Sequence, residues 1–304
     1  MESKDNLKEL LLKTRPKLST GSLSTYSSIL RNLFYKAHPK SEQINIKWFE
    51  NQNDVLKHLE NLPSKKRKTI LSALVVITEE SKKNNLFKDL MMEDGKKSHL
   101  EDIQQSKSEK QKENWITQDE IKELFNKMYK NVKPLFKKKS FDEFSNAEYQ
   151  QFQNLIILSV LGGLFISPRR SQDYTEMKIR GNIDKENDNY KTKSSFIFSK
   201  YKTARFYGKQ ELEIPKDLGS LLNKFIKINP YDYLFNDSNG NKLNSVKLSQ
   251  RLNNIFGGKH ISVNILRHSF LSEKYKDIPN LTDMLKTASE LGHSLSESLE
   301  YIKH

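Results

Sequence analysis

The chain has 304 residues, with 52 Lys or Arg against 38 Asp or Glu, for a formal net charge of +14. That excess favours a polyanionic partner, most simply nucleic acid, although a soluble lysine-rich protein would show it too. The absence of cysteine excludes disulfides, thiolate metal sites and a cysteine nucleophile.

A chain of this length admits about two domains. Its hydrophobic content of 35% and charged content of 30% allow two modest cores. No apolar run approaches the roughly 20 residues of a membrane span. The opening MESKDNLKEL lacks the apolar region of a signal peptide. An intracellular protein is expected, nuclear if its host is eukaryotic.

Residues 1–92 read as all-helical. DNLKELLLK is a short amphipathic helix, and a second carries Leu23, Tyr26, Ile29, Leu30 and Leu33. NQNDVLKHLENL forms another, stopped by Pro63. Lys65, Lys66, Arg67 and Lys68 then open an apolar helix. Four bases at a helix N-terminus oppose its dipole. A phosphate nearby would relieve that, so they are candidate DNA-backbone contacts, with a solvated charge run as the alternative.

From Met92 to Asn114 apolar residues nearly vanish and charge alternates, so 93–114 reads as a linker. The second domain, 115–304, opens at WITQDEIKELF with a capping box from Thr117 and Glu120. PLFKKKSFDEFSNAEYQQFQ reads as a loop or mobile arm, and FQNLIILSVLGGLF as a central buried helix. Pro168 breaks the pattern before Arg169 and Arg170. SSFIFSKYKT and KQELEIP alternate apolar and polar residues, giving a hairpin with Lys202 near its tip. The fold class is α+β, mainly α with a small antiparallel sheet.

The last forty residues carry the densest signals. In SVNILRHSFL, Val263, Leu266 and Phe270 share one helical face, while Asn264, Arg267, His268 and Leu271 share the next. A half-buried Arg needs an anionic partner. Pro279 and Asn280 mark the start of another helix, and Gly292 suits its left-handed cap. Ser294 and Glu297 form a capping-box pair for a third helix, on which Leu295, Leu299 and Ile302 are apolar. Tyr301 turns away from that side, available for chemistry.

Together these residues resemble the tyrosine recombinase, or phage-integrase, family over nearly the whole chain. RRSQDY is similar to the family's Arg-x-x-Glu-Leu signature, aligning Arg170 with its first catalytic Arg and Asp173 with the acidic residue supporting it. SKYKT aligns Lys202 with the catalytic lysine, with Lys200 as a rival. NILRH aligns Arg267 with the second Arg, and LGHS followed by a tyrosine aligns His293 and Tyr301. STGSLSTYSSILRNLF is similar to the N-terminal core-binding domain. The details resemble integrases of large DNA viruses and mobile elements, which would add a virion-associated location.

There are departures. Asn264 stands where the family usually has His; it can still donate a hydrogen bond to a phosphate oxygen, but it cannot carry a proton. Tyr301 follows His293 one residue sooner than is common. Few residues follow the tyrosine, which leaves cis or trans delivery open.

The resemblance implies a site-specific recombinase acting on double-stranded DNA as a tetramer, and a monomer without it. Arg170 and Arg267 would grip a phosphate, His293 would hold a non-bridging oxygen, Lys202 would protonate the leaving oxygen, and Tyr301 would form a 3′-phosphotyrosine. His268 reads as a packing or supporting histidine. No cofactor, ATP or metal is needed: there is no Walker-type loop, and Asp142, Glu143, Asp184 and Asp188 lie on separate polar segments. Tyr174, Tyr201 and Tyr275 are rival nucleophiles only in principle and are expected to pack. The alternatives are a DNA-binding protein of the same fold that has lost catalysis, and a relaxing enzyme of the type IB topoisomerase kind.

Overall fold

A computed structural model describes residues 4–103, 106–276 and 281–303. The chain divides into two compact units, Met1–Gln104 and Gln105–His304. The expected start of a helix at Pro279 and Asn280 lies outside the described residues.

The first unit is all-helical, with α1 (Lys4–Thr14), α2 (Thr20–Ala37), α3 (Gln52–Lys57), α4 (Ser64–Ile77) and α5 (Asn85–Ile103). Ser19 caps α2, its hydroxyl accepting from Ser22 N. Leu30, Phe34, Phe49, Leu71, Leu74 and Phe87 fill the core.

α5 corrects the linker reading, because residues 93–103 are helix. Its inner face continues from Phe87 through Asp94 and Ser98, both buried. Asp94 accepts a two-pronged contact from Arg67, Nε to Oδ2 at 2.8 Å and Nη2 to Oδ1 at 2.7 Å. Polar residues on a buried helical face look like linker to any reading by hydropathy.

The second unit opens with α6 (Glu109–Glu113), α7 (Gln118–Val132), α8 (Asn146–Leu161) and α9 (Ser171–Thr175). The end of the expected linker also packs here, since Asn114 accepts from His260 N at 2.8 Å. Thr117 and Glu120 form the capping box of α7. α8 is the buried centre of the unit, with Leu155, Ile156, Ile157 and Leu158 fully enclosed. The expected mobile arm is instead two short 3-10 turns whose Leu135, Phe136, Phe141 and Phe144 pack against the core.

The sheet is mixed rather than wholly antiparallel. Strands β1 (Met177–Lys178), β2 (Asn189–Lys191), β3 (Ser195–Phe198) and β4 (Gln210–Glu213) lie in the order β1-β2-β3-β4. β1 and β2 run parallel, and β2–β3 and β3–β4 are antiparallel, with Phe196 opposite Leu212. The α+β class stands. Between β3 and β4 lies α10 (Ala204–Tyr207), so the connection is longer than a tight turn. α11 (Lys216–Ile228), α12 (Ser245–Ile255), α13 (Val263–Lys274), α14 (Leu281–Leu291) and α15 (Leu295–Tyr301) complete the unit.

Candidate active site

α13 is set by its N-cap, where the Ser262 hydroxyl accepts from Ile265 N at 3.3 Å. Val263, Leu266 and Leu271 bury one side. The same turn buries Arg267 completely. No carboxylate pairs with Arg267 among the described residues. Its Nη2 contacts Nε2 of His293, while Nε and Nη1 are buried without a partner. Burial lowers the Arg267 guanidinium to about 10, with Arg170 adding to the strain and the Tyr301 phenol opposing it. Unpartnered guanidinium nitrogens in a buried setting call for an anion that none of the described residues supplies.

His293 arrives from the other side. Gly292, at φ +72°, ends α14 in the left-handed region. The turn drives His293 inward until it is 2% exposed. Because Nε2 faces a guanidinium donor, Nε2 must accept and Nδ1 carries the proton. Nδ1 lies 3.1 Å from Ser298 Oγ. Burial, then the charges of Arg267 and Arg170, pulls His293 down to about 3, so the ring is neutral at pH 7.

Arg170 caps the start of α9 and reaches the same turn. Its Nη1 donates to Gly292 O at 3.2 Å and its Nη2 to Glu297 Oε1 at 2.7 Å. The expected capping box is therefore half made. Ser294 accepts from Glu297 N, but the Glu297 carboxylate goes to Arg170.

Tyr301 closes the group. Its ring lies 4.8 Å from the Arg267 guanidinium carbon, stacks on His293 at 5.4 Å and 18°, and meets His268 at 4.7 Å. His268 Nδ1 donates to the Tyr301 carbonyl at 2.6 Å. The residues after it are pinned: Ile302 is buried, and Lys303 N donates to Ser272 Oγ at 2.7 Å. The tyrosine thus stands in the site of its own chain. Tyr174, Tyr201 and Tyr275 are buried in packing roles. Leu299, expected on the apolar side of α15, is 36% exposed.

The structure therefore brings together Arg170, Arg267, His268, His293 and Tyr301. It treats the other candidates differently. Asp173 does not support Arg170. It pairs with Arg169, Nε to Oδ2 at 2.8 Å, and both are buried. Arg169 also donates to Gln210 Oε1 and Glu290 O, and its guanidinium lies over Phe198 at 4.1 Å. Arg169 turns inward to meet Asp173, whereas Arg170 turns to Gly292 O and Glu297.

Asn264 is exposed one turn before His268. Both line a cleft of about 620 Å³ with Lys110, Ser249, Asn253 and Ser262. Lys202 is exposed on the β3–β4 connection, whereas Lys200 is tied to Glu176 at 3.1 Å. Thr203, next to Lys202, donates to Gly292 O at 2.6 Å, the carbonyl that Arg170 also uses.

In the first unit, Lys65, Lys66 and Lys68 are exposed on α4, and Lys65 lies 3.9 Å from Glu101. Arg67 is not available as a DNA contact, being committed to the buried Asp94. Sequence reasoning missed Arg169 and the role of Glu297. The doubled Arg at 169–170 and the carboxylate one turn before Tyr301 were the available signals.

No protein-family model and no curated protein matches this chain. Solved structures to which it is similar include the XerA recombinase, at a TM-score of 0.44 and 12% identity over 99% of this chain and 94% of that chain. A lambda integrase dimer bound to a COC′ core site gives 0.46 and 15% over 99% and 94%. The Tn1549 transposon integrase in complex with transposon right end DNA gives 0.47 and 12% over 99% and 95%. What this chain can do is read from the side chains of its own site.

Proposed function

We propose that this protein is a site-specific DNA recombinase or integrase that cuts and rejoins DNA through a covalent 3′-phosphotyrosine at Tyr301. The observation that carries the reading is the buried Arg267, whose free nitrogens sit beside the Tyr301 ring, with His293 against its guanidinium and Arg170 bonded to the turn before His293.

A free phenol has a pKa of about 10, so roughly 0.1% is ionised at pH 7, a deficit of about 4 kcal/mol. Two guanidinium groups offset it by gripping the non-bridging oxygens as charge grows during in-line attack. The Tyr301 oxygen bonds to phosphorus and gives up its proton to solvent water. The bond to the 5′ oxygen breaks, and Lys202 protonates that oxygen. The phosphotyrosine conserves the ester's energy, so a second 5′ hydroxyl reverses the step without ATP or metal. Double-stranded DNA is the partner, and a tetramer the working assembly.

Nicked duplexes with randomised sequence around the nick test this, because the short product strand is lost after cleavage and traps the intermediate. Wild type should form an SDS-resistant, protease-sensitive adduct on the 3′ side, and Tyr301→Phe none. An adduct undiminished in Tyr301→Phe refutes the reading. Asn264 in place of His and the Glu297 carboxylate on Arg170 favour a second reading, a DNA-binding protein without catalysis. It holds if wild type binds duplex with steep salt dependence yet forms no adduct on any member of the library.

A further inference from the structure

The β3–β4 connection, residues 199–209, is fixed at its root and open at its tip. Asn189 is buried and accepts from Ser199 N and Lys200 N at 2.9 and 2.7 Å. The Tyr201 hydroxyl donates to Gly208 O at 2.7 Å, closing the connection on itself. Gly208 sits there at φ +66°, where a side chain would be strained. Thr203 ties the same connection to Gly292 O, beside Arg170.

Beyond these ties α10 presents Phe206, 70% exposed, and Tyr207, 43% exposed. The Arg205 guanidinium lies 4.5 Å over the Phe206 ring. A single exposed apolar side chain is ordinary. Here, however, a planar ring backed by a cation stands on a rigid root, one hydrogen bond from the phosphate-binding turn. No Asp or Glu occurs between Ser199 and Lys209, while Lys200, Lys202, Arg205 and Lys209 do. Cations interleaved with aromatic rings fit a nucleic-acid base, which offers a π-face next to a phosphate.

We infer that Phe206, backed by Arg205, stacks on a base of duplex DNA adjoining the phosphate held by Arg170 and Arg267. This rests on the reading of that site as a DNA site. Stacking on a ring does not depend on base identity, so the contact acts on any sequence. It opens the base step beside the cut and so lowers the work of strand exchange.

The full chain and a 30-base-pair duplex of mixed sequence test it. Phe206→Ala should bind roughly tenfold more weakly, the order of one lost stacking contact, with the slope of log K against log salt unchanged. Phe206→Trp should restore affinity, and its emission above the Trp48 and Trp115 background should be quenched by duplex. Arg267→Ala, measured beside them, should lower the salt slope by about 1. Wild-type affinity in Phe206→Ala, or unquenched emission in Phe206→Trp, overturns the stacking contact. The DNA-site reading then still stands if Arg267→Ala is weakened. A wild type that does not bind duplex at all overturns both.

Discussion

Glu297 and Arg170 meet at 2.7 Å, so the first arginine of the site already holds a carboxylate. Glu297 lies one turn before Tyr301 on the same short helix. On the proposed reading a phosphate competes with that carboxylate for Arg170, which would couple anion binding to the helix carrying the phenol. Glu297→Gln should tighten duplex binding about fivefold, the value of a partly exposed ion pair near 1 kcal/mol. Fluorescence anisotropy with labelled duplex measures it. Weaker binding in Glu297→Gln would mean that the carboxylate holds Arg170 in its binding pose instead of competing for it.

The pairing of Asp173 with Arg169 predicts opposite outcomes for two neighbouring arginines. Asp173→Ala leaves the buried Arg169 charge unpaired and should cost about 3–5 kcal/mol of stability. Arg170→Ala, whose partner is half exposed, should cost under about 1 kcal/mol while sharply weakening DNA binding. Urea unfolding of both variants decides it. Comparable losses of stability would show that Arg170 is as much a structural residue as the Arg169–Asp173 pair.

His293 gives the fold a pH dependence. In the unfolded chain it takes up a proton below about 6.5, whereas in the fold it does so only near 3. The unfolded state therefore binds more protons across that window. The contribution of His293 is full above 6.5 and is lost as pH falls, by about 2 kcal/mol at pH 5. His293→Gln should flatten this part of the stability profile between pH 7 and 4.5. An unchanged slope in that variant would place the titration elsewhere.

Much of this site was legible in the sequence, and the parts that were not share a cause. Arg267, His293 and Tyr301 are each fixed by local signals: a capped helix, a left-handed glycine and a short terminal helix. Local rules therefore placed them on their elements, while the roles expected of them came from the family resemblance alone. Asp173 went to Arg169 because those two side chains are buried together, while Arg170 is engaged by Gly292 O and Glu297. α5 was hidden because Asp94 occupies a core position, and only its partner Arg67, on another helix, makes that position tolerable. Glu297 read as a cap because its second partner is distant in sequence. Each miss is a polar group whose partner is chosen by the packed fold, and for Asp94 and Glu297 that partner lies far along the chain.

The basic run on α4 should accordingly split in function. Arg67→Ala strands Asp94 and should destabilise the first unit by about 3 kcal/mol. Lys66→Ala with Lys68→Ala should leave stability unchanged and reduce the salt slope of duplex binding by about 2. A salt slope untouched by the double variant would make these lysines a solvated face only.

On the proposed reading, cationic side chains gathered around Tyr301 make its phenol the attacking group. Mass spectrometry of the nuclease-trimmed adduct from the nicked-duplex library tests it most directly. The expected result is a nucleotide 3′-phosphate joined to Tyr301, with the yield falling by orders of magnitude in Arg267→Ala. A nucleotide on any other residue, or a yield indifferent to Arg267, would contradict it.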